Sequence, residues 1–337
     1  MNLAINGFGR IGRQALRIIL EKHPNVHVVL INDLTDTKTL AHLFEFDSSY
    51  GVYAGGEVSS TQTSIIIKGK SIQVSASKDP ATLPHKDLNV DVVLECTGRF
   101  TKRDDAALHL KAGAKKVIIS APCKDKADGT LCIGVNHETY DPKSMDILSN
   151  ASCTTNCLAP MAKILNDTFG IKHGYMTTIH SYTNDQNLLD LPHSDLRRAR
   201  AAAINIVPTS TGAAKAIGLV LPELNGKLNG LAIRVPTPTG SLNDLTVVTE
   251  KQATPEAVNE AFKKAATKGP LKGILQYEER PIVSHDIVGN PHSCILDAGL
   301  TSVTGGNLIK AFGWYDNEWG YSNRIVELAE YVGSKLS

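Results

Sequence analysis

One cysteine lies where a nucleophile is useful. Cys153 is in the stretch Ser149–Cys157, which joins a short apolar segment to a predicted helix beginning at Cys153. A thiol at a helix N-terminus meets the positive end of the helix dipole and free backbone N–H groups, so we expect a lowered pKa and a reactive thiolate. The same N–H groups suit an oxyanion. A buried structural role fits Cys96, Cys132 and Cys294 better, because they lie in apolar segments.

A histidine at the end of a predicted strand is the candidate base. His180 follows the strand predicted over Gly174–Ile179 and can reach a helix terminus on a neighbouring element. Its imidazolium form would lower the pKa of a nearby thiol, and its neutral form would transfer protons. The chain has eleven histidines, and the sequence alone does not choose among them.

A G-x-G-x-x-G motif formed by Gly7, Gly9 and Gly12 predicts a dinucleotide site. It follows a strand predicted over Leu3–Asn6 and opens a helix predicted over Ile11–Lys22. The first glycine permits a tight turn, the second lets backbone approach a pyrophosphate, and the third lets the helix pack on the strand. Three glycines alone also fit ordinary turns, but this strand–turn–helix context favours cofactor binding.

An acidic residue follows the motif at the expected distance. Asp33 lies 21 residues after Gly12, at the end of a strand predicted over Val26–Ile31. There a carboxylate can bind the adenosine ribose hydroxyls, and it repels a 2′-phosphate. We therefore expect NAD rather than NADP.

The elements that position these residues predict an α/β fold. Short Val/Ile-rich strands alternate with helices, which favours a Rossmann-type, doubly wound, mostly parallel sheet in a dinucleotide-binding domain over residues 1–150. Longer strands with polar alternation predict a second, α+β domain over residues 151–317. A C-terminal helix over residues 318–337 is expected to pack back on the first domain. The polar stretch Ser181–Ala203 is too long for an idle connection, and we interpret it as a functional or interface loop.

Composition excludes several classes of function. The 35 Lys+Arg residues balance 34 Asp+Glu residues, so no basic field favours nucleic acid as a primary partner. No apolar stretch approaches the length of a membrane span, and the N-terminal residues do not resemble a signal peptide. The six cysteines show no disulfide ladder and no CxxC pair for zinc, so we expect no metal and a reducing cytoplasm.

The sequence resembles the glyceraldehyde-3-phosphate dehydrogenase family over nearly its whole length. Two motifs are highly specific to that group: Ser-Cys-Thr-Thr-Asn-Cys over residues 152–157, and Trp-Tyr-Asp-Asn-Glu-Trp-Gly-Tyr-Ser-Asn-Arg over residues 314–324. Further matching stretches are Ile5–Gly12, Glu95–Gly98, Ala151–Pro160, Thr178–Gln186, Thr209–Lys215 and Arg234–Thr237.

The resemblance implies an activity and residue roles. The activity is NAD-dependent oxidation and phosphorylation of glyceraldehyde 3-phosphate to 1,3-bisphosphoglycerate in glycolysis or gluconeogenesis, usually by a cytoplasmic homotetramer. Cys153 matches the nucleophile, His180 its base, and Asn317 the residue that holds the nicotinamide carboxamide. Positions that match cofactor contacts are Arg10, Ile11, Asp33, Lys78 and Ser120. Positions that match the anion sites for substrate phosphate and inorganic phosphate are Ser152, Thr154, Thr183, Arg198, Thr211, Gly212 and Arg234.

Alternatives remain open at this level. A lone arginine is usually solvated or ion-paired, although Arg198 and Arg234 among several hydroxyls suit bidentate phosphate recognition. Erythrose-4-phosphate dehydrogenase shares the fold and the chemistry, and a non-catalytic binding role of the same fold is a further alternative. The sequence departs from the family's usual pattern at His85, where tryptophan is frequent, and at Cys123.

Overall fold

The computed structural model describes residues 1–336, which divide into two compact units. The first unit comprises Met1–Leu131, His137–Ala151 and the chain from Ser322 onward. The second comprises Cys132–Asn136 and Ser152–Tyr321. No helix within the described residues is long and apolar enough to cross a membrane.

The first unit is built on a nine-stranded sheet. Its sheet strands are β1 (Asn2–Asn6), β2 (His27–Asn32), β5 (Val58–Ser60), β6 (Ser64–Ile67), β7 (Lys70–Ser75), β8 (Val92–Glu95), β9 (Lys116–Ile119), β10 (Gly129–Thr130) and β11 (Ile147–Ser149), and a separate small pair is formed by β3 (Phe46–Asp47) and β4 (Gly51–Val52). Its helices are α1 (Arg10–Lys22), α2 (Thr37–Glu45), α3 (Arg103–Ala106) and α4 (Leu108–Lys111).

The order of these strands confirms the predicted Rossmann-type sheet. The order is β10-β11-β9-β8-β1-β2-β7-β6-β5, parallel from β10 to β7 and antiparallel at β6 and β5. Strands β8 and β9 are buried along their whole length, as expected for a parallel sheet covered on both faces. Strand β1 lies between β2 and β8 and is parallel to both, so the chain connections leave β1 and reach β8 on opposite sides of this point in the sheet. At such a point the carboxyl ends of the strands border a crevice suited to a ligand.

The second unit contains a mixed eight-stranded sheet, as predicted for an α+β domain. Its strands are β12 (Ile171–Ser181), β13 (Val207–Ser210), β14 (Leu228–Val235), β15 (Ser241–Thr249), β16 (Leu275–Glu278), β17 (Cys294–Asp297), β18 (Ser302–Thr304) and β19 (Leu308–Tyr315). Its helices are α5 (Cys153–Phe169), α6 (Ala213–Val220) and α7 (Pro255–Thr267). Burial alternates residue by residue along β15, and α5 packs against β12, β15 and β19. One face of the sheet therefore supports the helix that begins at Cys153.

Two predicted helices differ in extent. The segment Arg103–Ala112 forms the two short helices α3 and α4 rather than one, with an i−3 hydrogen bond from the Leu110 amide to Ala107 tightening the chain between them. The C-terminal helix, α8, spans Trp319–Gly333 instead of residues 318–337. After Gly333 the chain makes i−3 turns, and Ser337 lies outside the described residues.

The unusual residue His85 lies in a buried polar chain of the first unit. Its Nε2 is 2.9 Å from Nδ1 of His109, whose Nε2 is 3.1 Å from a Glu95 carboxylate oxygen. Burial and the neighbouring His109 lower the pKa of His85 to about 4. His85 is therefore a neutral core residue at ordinary pH.

Candidate active site

The proposed nucleophile is the first residue of α5. Ser152 caps this helix, since its Oγ accepts a hydrogen bond of 3.0 Å from the Thr155 amide. Just before the cap the chain passes through Ala151, whose φ of 54° is the left-handed conformation that side chains other than glycine rarely adopt. The turn brings the chain directly from β11 into the helix and fixes where Cys153 starts it.

His180 is in contact with this thiol. Its Nε2 lies 3.4 Å from Cys153 Sγ, and its Nδ1 lies 2.7 Å from the Ser181 carbonyl oxygen. Because a carbonyl oxygen only accepts, Nδ1 carries the proton of the neutral ring. The lone pair on Nε2 then faces the thiol, which is the arrangement of a general base.

Arg234 is the cation beside this pair. It is the register partner of His180 across β12 and β14. Its Nη1 lies 3.2 Å from His180 Nδ1, and it donates to the Ser181 carbonyl at 3.0 Å and to Thr183 Oγ1 at 3.2 Å. The structure thus brings together four residues predicted from the sequence, Cys153, His180, Thr183 and Arg234.

The pKa shifts of the pair run against the lowered thiol pKa expected from the sequence. Burial, and to a lesser extent the Arg234 guanidinium, lower the pKa of His180 to about 3. Burial also raises the pKa of the Cys153 thiol, although Arg234 and the Thr154 hydrogen bonds oppose that effect. Loss of water outweighs the helix terminus here. Both shifts favour a neutral thiol and a neutral imidazole in the resting pair, and the cation nearest to them is Arg234.

Tyr315 connects helix α5, which begins at Cys153, to strand β12, which carries His180. Its buried hydroxyl is 2.9 Å from Thr154 Oγ1 and 2.8 Å from Thr178 Oγ1. Thr178 is two residues before His180, so both side chains lie on one face of β12. Tyr315 is not among the residues predicted from the sequence, although it lies within the motif over residues 314–324.

The second predicted arginine, Arg198, contacts the end of β13, which precedes α6 in the chain. Arg198 donates from Nε to Thr209 Oγ1 at 2.9 Å, from Nη2 to the Ser210 carbonyl at 3.1 Å, and from Nη1 to the Asp185 carboxylate. The next residues, Thr211 and Gly212, open α6, a helix terminus of the kind that binds anions. Arg198, Thr211 and Gly212 therefore form one group, and Arg234 with Thr183 forms another.

The other predicted residues of the second unit have internal partners. Besides capping α5, Ser152 Oγ lies 2.8 Å from Thr155 Oγ1, and the Thr154 hydroxyl bonds to Tyr315. Asn317 is buried, and its Oδ1 accepts from the Gly240 amide at 3.2 Å and from Ser241 Oγ at 2.9 Å. These contacts hold each side chain in a fixed orientation.

A cleft of about 420 Å³ lies at the glycine motif of the first unit. Gly7 has a φ of 90°, and a Cβ there would come within 2.7 Å of the Thr97 nitrogen. A Cβ on Gly12 would be 2.2 Å from the Gly7 carbonyl oxygen, whereas one on Gly9 would meet open space. This fits a bound dinucleotide, since Gly7 and Gly12 permit close backbone packing and Gly9 leaves room for a pyrophosphate.

The acidic residue Asp33 and two basic residues line this cleft. The Asp33 carboxylate accepts hydrogen bonds from the Phe8 amide at 2.8 Å and the Thr35 amide at 3.0 Å, which hold it at the end of β2. Lys78 and Arg99 line the same cleft. The sequence analysis found Lys78 through the resemblance and missed Arg99.

Besides Asn317 of the second unit, four predicted cofactor positions of the first unit do not line the cleft. Arg10 directs Nη1 to the Asp47 carboxylate at 2.5 Å, and Ile11 follows it in α1. Gly12 packs against the Gly7 carbonyl oxygen, and the Ser120 amide donates to the Glu95 carbonyl oxygen. The cleft is also lined by residues that the sequence analysis did not name as cofactor contacts: Asn6, Asn32, Leu34, Thr35, Ser77, Cys96, Thr97 and Phe100. Most of these follow the carboxyl ends of β1, β2 and β8, a signal available from strand prediction.

Two further findings concern cysteines and metals. All six cysteines are free, and Cys96 is partly exposed rather than fully buried. Within residues 1–336, no three His, Cys, Asp or Glu side chains are grouped so that they could hold a metal ion.

Comparison with known families gives two domain matches. The family model of the glyceraldehyde 3-phosphate dehydrogenase NAD binding domain matches residues 1–103. The model of the C-terminal domain of the same family matches residues 152–317.

Full-length relatives carry the same family name. The chain is 60% identical over 333 residues to glyceraldehyde-3-phosphate dehydrogenase 1 of Bacillus cereus, which covers 99% of this chain and 98% of that protein. It is 58% identical over 335 residues to the enzyme of Geobacillus stearothermophilus, covering 99% of each. It is 56% identical over 336 residues to that of Streptomyces coelicolor, covering 100% of this chain and 99% of the relative.

Proposed function

We propose, from the premise that this chain belongs to the glyceraldehyde-3-phosphate dehydrogenase family, that it oxidises and phosphorylates D-glyceraldehyde 3-phosphate to 1,3-bisphosphoglycerate in glycolysis or gluconeogenesis. It is an NAD-dependent oxidoreductase. The observation that carries the chemistry is the 3.4 Å contact between Cys153 Sγ and the unprotonated Nε2 of His180, with Arg234 beside both.

The reaction begins with covalent addition. As Cys153 Sγ attacks the aldehyde carbon, its proton passes to His180 Nε2, which donates it to the former carbonyl oxygen, so that a hemithioacetal hydroxyl forms and His180 is neutral again. His180 then accepts the proton of that hydroxyl while the carbon loses a hydride. NAD, when bound, supplies the hydride acceptor. The product is a thioester on Cys153, which preserves the energy of the oxidation.

The second half of the reaction is acyl transfer. A phosphate oxygen attacks the thioester carbon, and Cys153 leaves with its proton restored through His180. The amides at the start of α5 are suited to stabilise the oxyanion of this step. Phosphate must be held against the thioester so that it outcompetes water, which is a matter of positioning.

The proposed anion sites divide along the two arginine groups. One comprises Arg234 and Thr183, beside the nucleophile, and the other comprises Arg198, Thr211 and Gly212, with Ser152 and Thr154 in the first turn of α5. Guanidinium groups with neighbouring hydroxyls and a helix terminus suit phosphate dianions. Asn317, held by Gly240 and Ser241, is the proposed contact of the nicotinamide carboxamide.

The proposed domain roles follow the same division. Residues 1–150 hold the cofactor through Gly7, Gly9, Gly12 and Asp33, with Arg10, Ile11, Lys78 and Ser120 as further contacts. Residues 151–317 carry catalysis and oligomerisation. The support for the first role is the cleft at the glycine motif.

We further propose a cytoplasmic homotetramer. The loop over residues 182–206 exposes several large apolar side chains, which a soluble monomer rarely leaves grouped in solvent. They are Leu188, Leu189, Leu191, Leu196, Ile204 and Ile206. Six free cysteines fit a reducing compartment. Light scattering at micromolar concentration tests the tetramer, and a monomeric mass contradicts it.

The test of the activity is NADH formation measured at 340 nm. Glyceraldehyde 3-phosphate, NAD and inorganic phosphate together should give sustained NADH formation, whereas omission of phosphate should leave at most a single turnover. Erythrose 4-phosphate in place of the triose phosphate should react poorly. A preference for erythrose 4-phosphate supports the alternative enzyme, and no turnover with either substrate supports a binding role.

A further inference from the structure

A carboxylate of this chain is bound where the proposed function needs a phosphate. Asp185 contacts Nη1 of Arg198. About half of the Asp185 side chain is exposed, against about a fifth of the Arg198 side chain. An oxyanion that approaches Arg198 from solvent therefore meets the negative charge of Asp185 first.

The guanidinium is held independently of that carboxylate. Its Nε donates to Thr209 Oγ1 at 2.9 Å, and its Nη2 donates to the Ser210 carbonyl at 3.1 Å. If Asp185 moves away, these two bonds keep Arg198 in place and leave Nη1 to an incoming oxyanion. Bidentate binding of a phosphate needs at least one such exchangeable donor.

A second carboxylate near Arg198 is anchored elsewhere. Asp195 lies 3.6 Å from Nε of Arg198, but it accepts hydrogen bonds from Thr209 Oγ1 at 2.5 Å and from the Arg197 amide at 2.9 Å. His193 faces the other oxygen of Asp185 at 3.8 Å. Asp185 is thus the exposed, exchangeable carboxylate of the group, and Asp195 is part of its frame.

We propose that Asp185 is an internal competitor for the anion site at Arg198, which phosphate must displace, so that this residue sets the affinity of the site. The inference rests on the proposed function. An exposed ion pair is weak and screened by salt, so a phosphate dianion can replace it at low cost. Asp185 acts on phosphate affinity through Arg198 and does not itself contact the reacting atoms.

Asp185→Asn tests the proposal, with Asp190→Asn as the matched control. Asp190 lies in the same loop and pairs with Arg200 instead. With NAD-saturated enzyme, Asp185→Asn should lower KM for inorganic phosphate by roughly twofold to fivefold, because the competing charge is gone. Asp190→Asn should leave this KM unchanged. A fall only in KM for glyceraldehyde 3-phosphate also supports competition and assigns Arg198 to the substrate phosphate.

A purely structural ion pair gives a different pattern. In that case Asp185→Asn would raise or leave unchanged the KM of both phosphate-bearing ligands, which overturns the proposal. In an Arg198→Ala background, the effect of Asp185→Asn should disappear. If the asparagine variant does not fold, Asp185→Ser also removes the charge and should lower the same KM, whereas Asp185→Glu keeps the charge and should keep KM near that of the unmodified enzyme. If the unmodified chain makes no phosphate-dependent NADH, the proposed function fails instead.

Discussion

Arg234 should hold His180 in its neutral form. Its Nη1 lies 3.2 Å from His180 Nδ1. Two unit charges at that separation repel by about 1.3 kcal/mol even at the dielectric constant of water, which is about one pKa unit. Burial is the larger cause of the low pKa, about 3 against 6.5, so it persists without the arginine. We expect Arg234→Gln to raise the pKa of His180 by about one to two units, still short of 6.5.

The assay is a nitrogen-15 NMR titration of the imidazole side chains between pH 4 and 8. The His180 signals are identified by their absence from His180→Ala. In the unmodified chain His180 should stay neutral at pH 5, whereas in Arg234→Gln a sizeable fraction should be protonated there. Arg234→Lys, which keeps the charge, should resemble the unmodified chain, and Arg198→Gln should give a smaller rise, since Arg198 is a weaker cause of the shift.

The direction in which the pKa of His180 changes distinguishes an electrostatic effect of Arg234 from other effects. An unchanged or lower pKa in Arg234→Gln, or an equal rise in Arg234→Lys, would refute the electrostatic account. The pKa of the Cys153 thiol should also rise in Arg234→Gln, because Arg234 opposes the effect of burial on that thiol. A higher thiol pKa leaves less thiolate, so alkylation by iodoacetamide at neutral pH should be slower.

Three further outcomes are expected. Asp33→Gly should shift the ratio of kcat/KM toward NADP, because it removes a carboxylate from a cleft also lined by Lys78 and Arg99; an unchanged ratio contradicts the assignment. Cys153→Ser should abolish NADH formation, and normal turnover would rule out the covalent mechanism. Tyr315→Phe should lower the free energy of unfolding, measured in urea, by about 1–2 kcal/mol, since its hydroxyl joins two buried threonine hydroxyls; a fall below 0.5 kcal/mol contradicts that role.

The sequence predicts most of the buried elements of the fold. The Val/Ile runs at β8 and β9 and the helical spacing in α1 are strong local signals, because each element buries a continuous face. The strands over residues 46–75 were not predicted. Several of them, such as the exposed Gly51–Val52, are two or three residues long and carry no apolar run. Their pairing is decided by neighbours in space, which periodicity does not reveal.

In the candidate site, too, features that depend on local sequence are predictable, and contacts between distant residues are not. Cys153 is predictable because a helix start is a local property of the chain, and Asp33 because its distance from the glycine motif is fixed. The contact of Arg10 with Asp47 and that of Arg198 with Asp185 depend on tertiary proximity. For the same reason the sequence suggested two cations for phosphate without showing that one already has a carboxylate partner.

The pKa of the Cys153 thiol is shifted in the direction opposite to the one expected from the sequence, and this has a consequence for the proposed mechanism. A helix N-terminus favours a thiolate, but its effect is smaller than the cost of burying a charge among groups that exclude water. Moving the thiol proton to His180 creates a thiolate, which Arg234 stabilises, and an imidazolium, which Arg234 repels. In the proposed function, a phosphate-bearing ligand bound to Arg234 would offset that repulsion while the aldehyde consumes the thiolate. Proton transfer within the pair would then be least unfavourable with substrate bound, and the reactive thiolate would form mainly in the complex in which it is used.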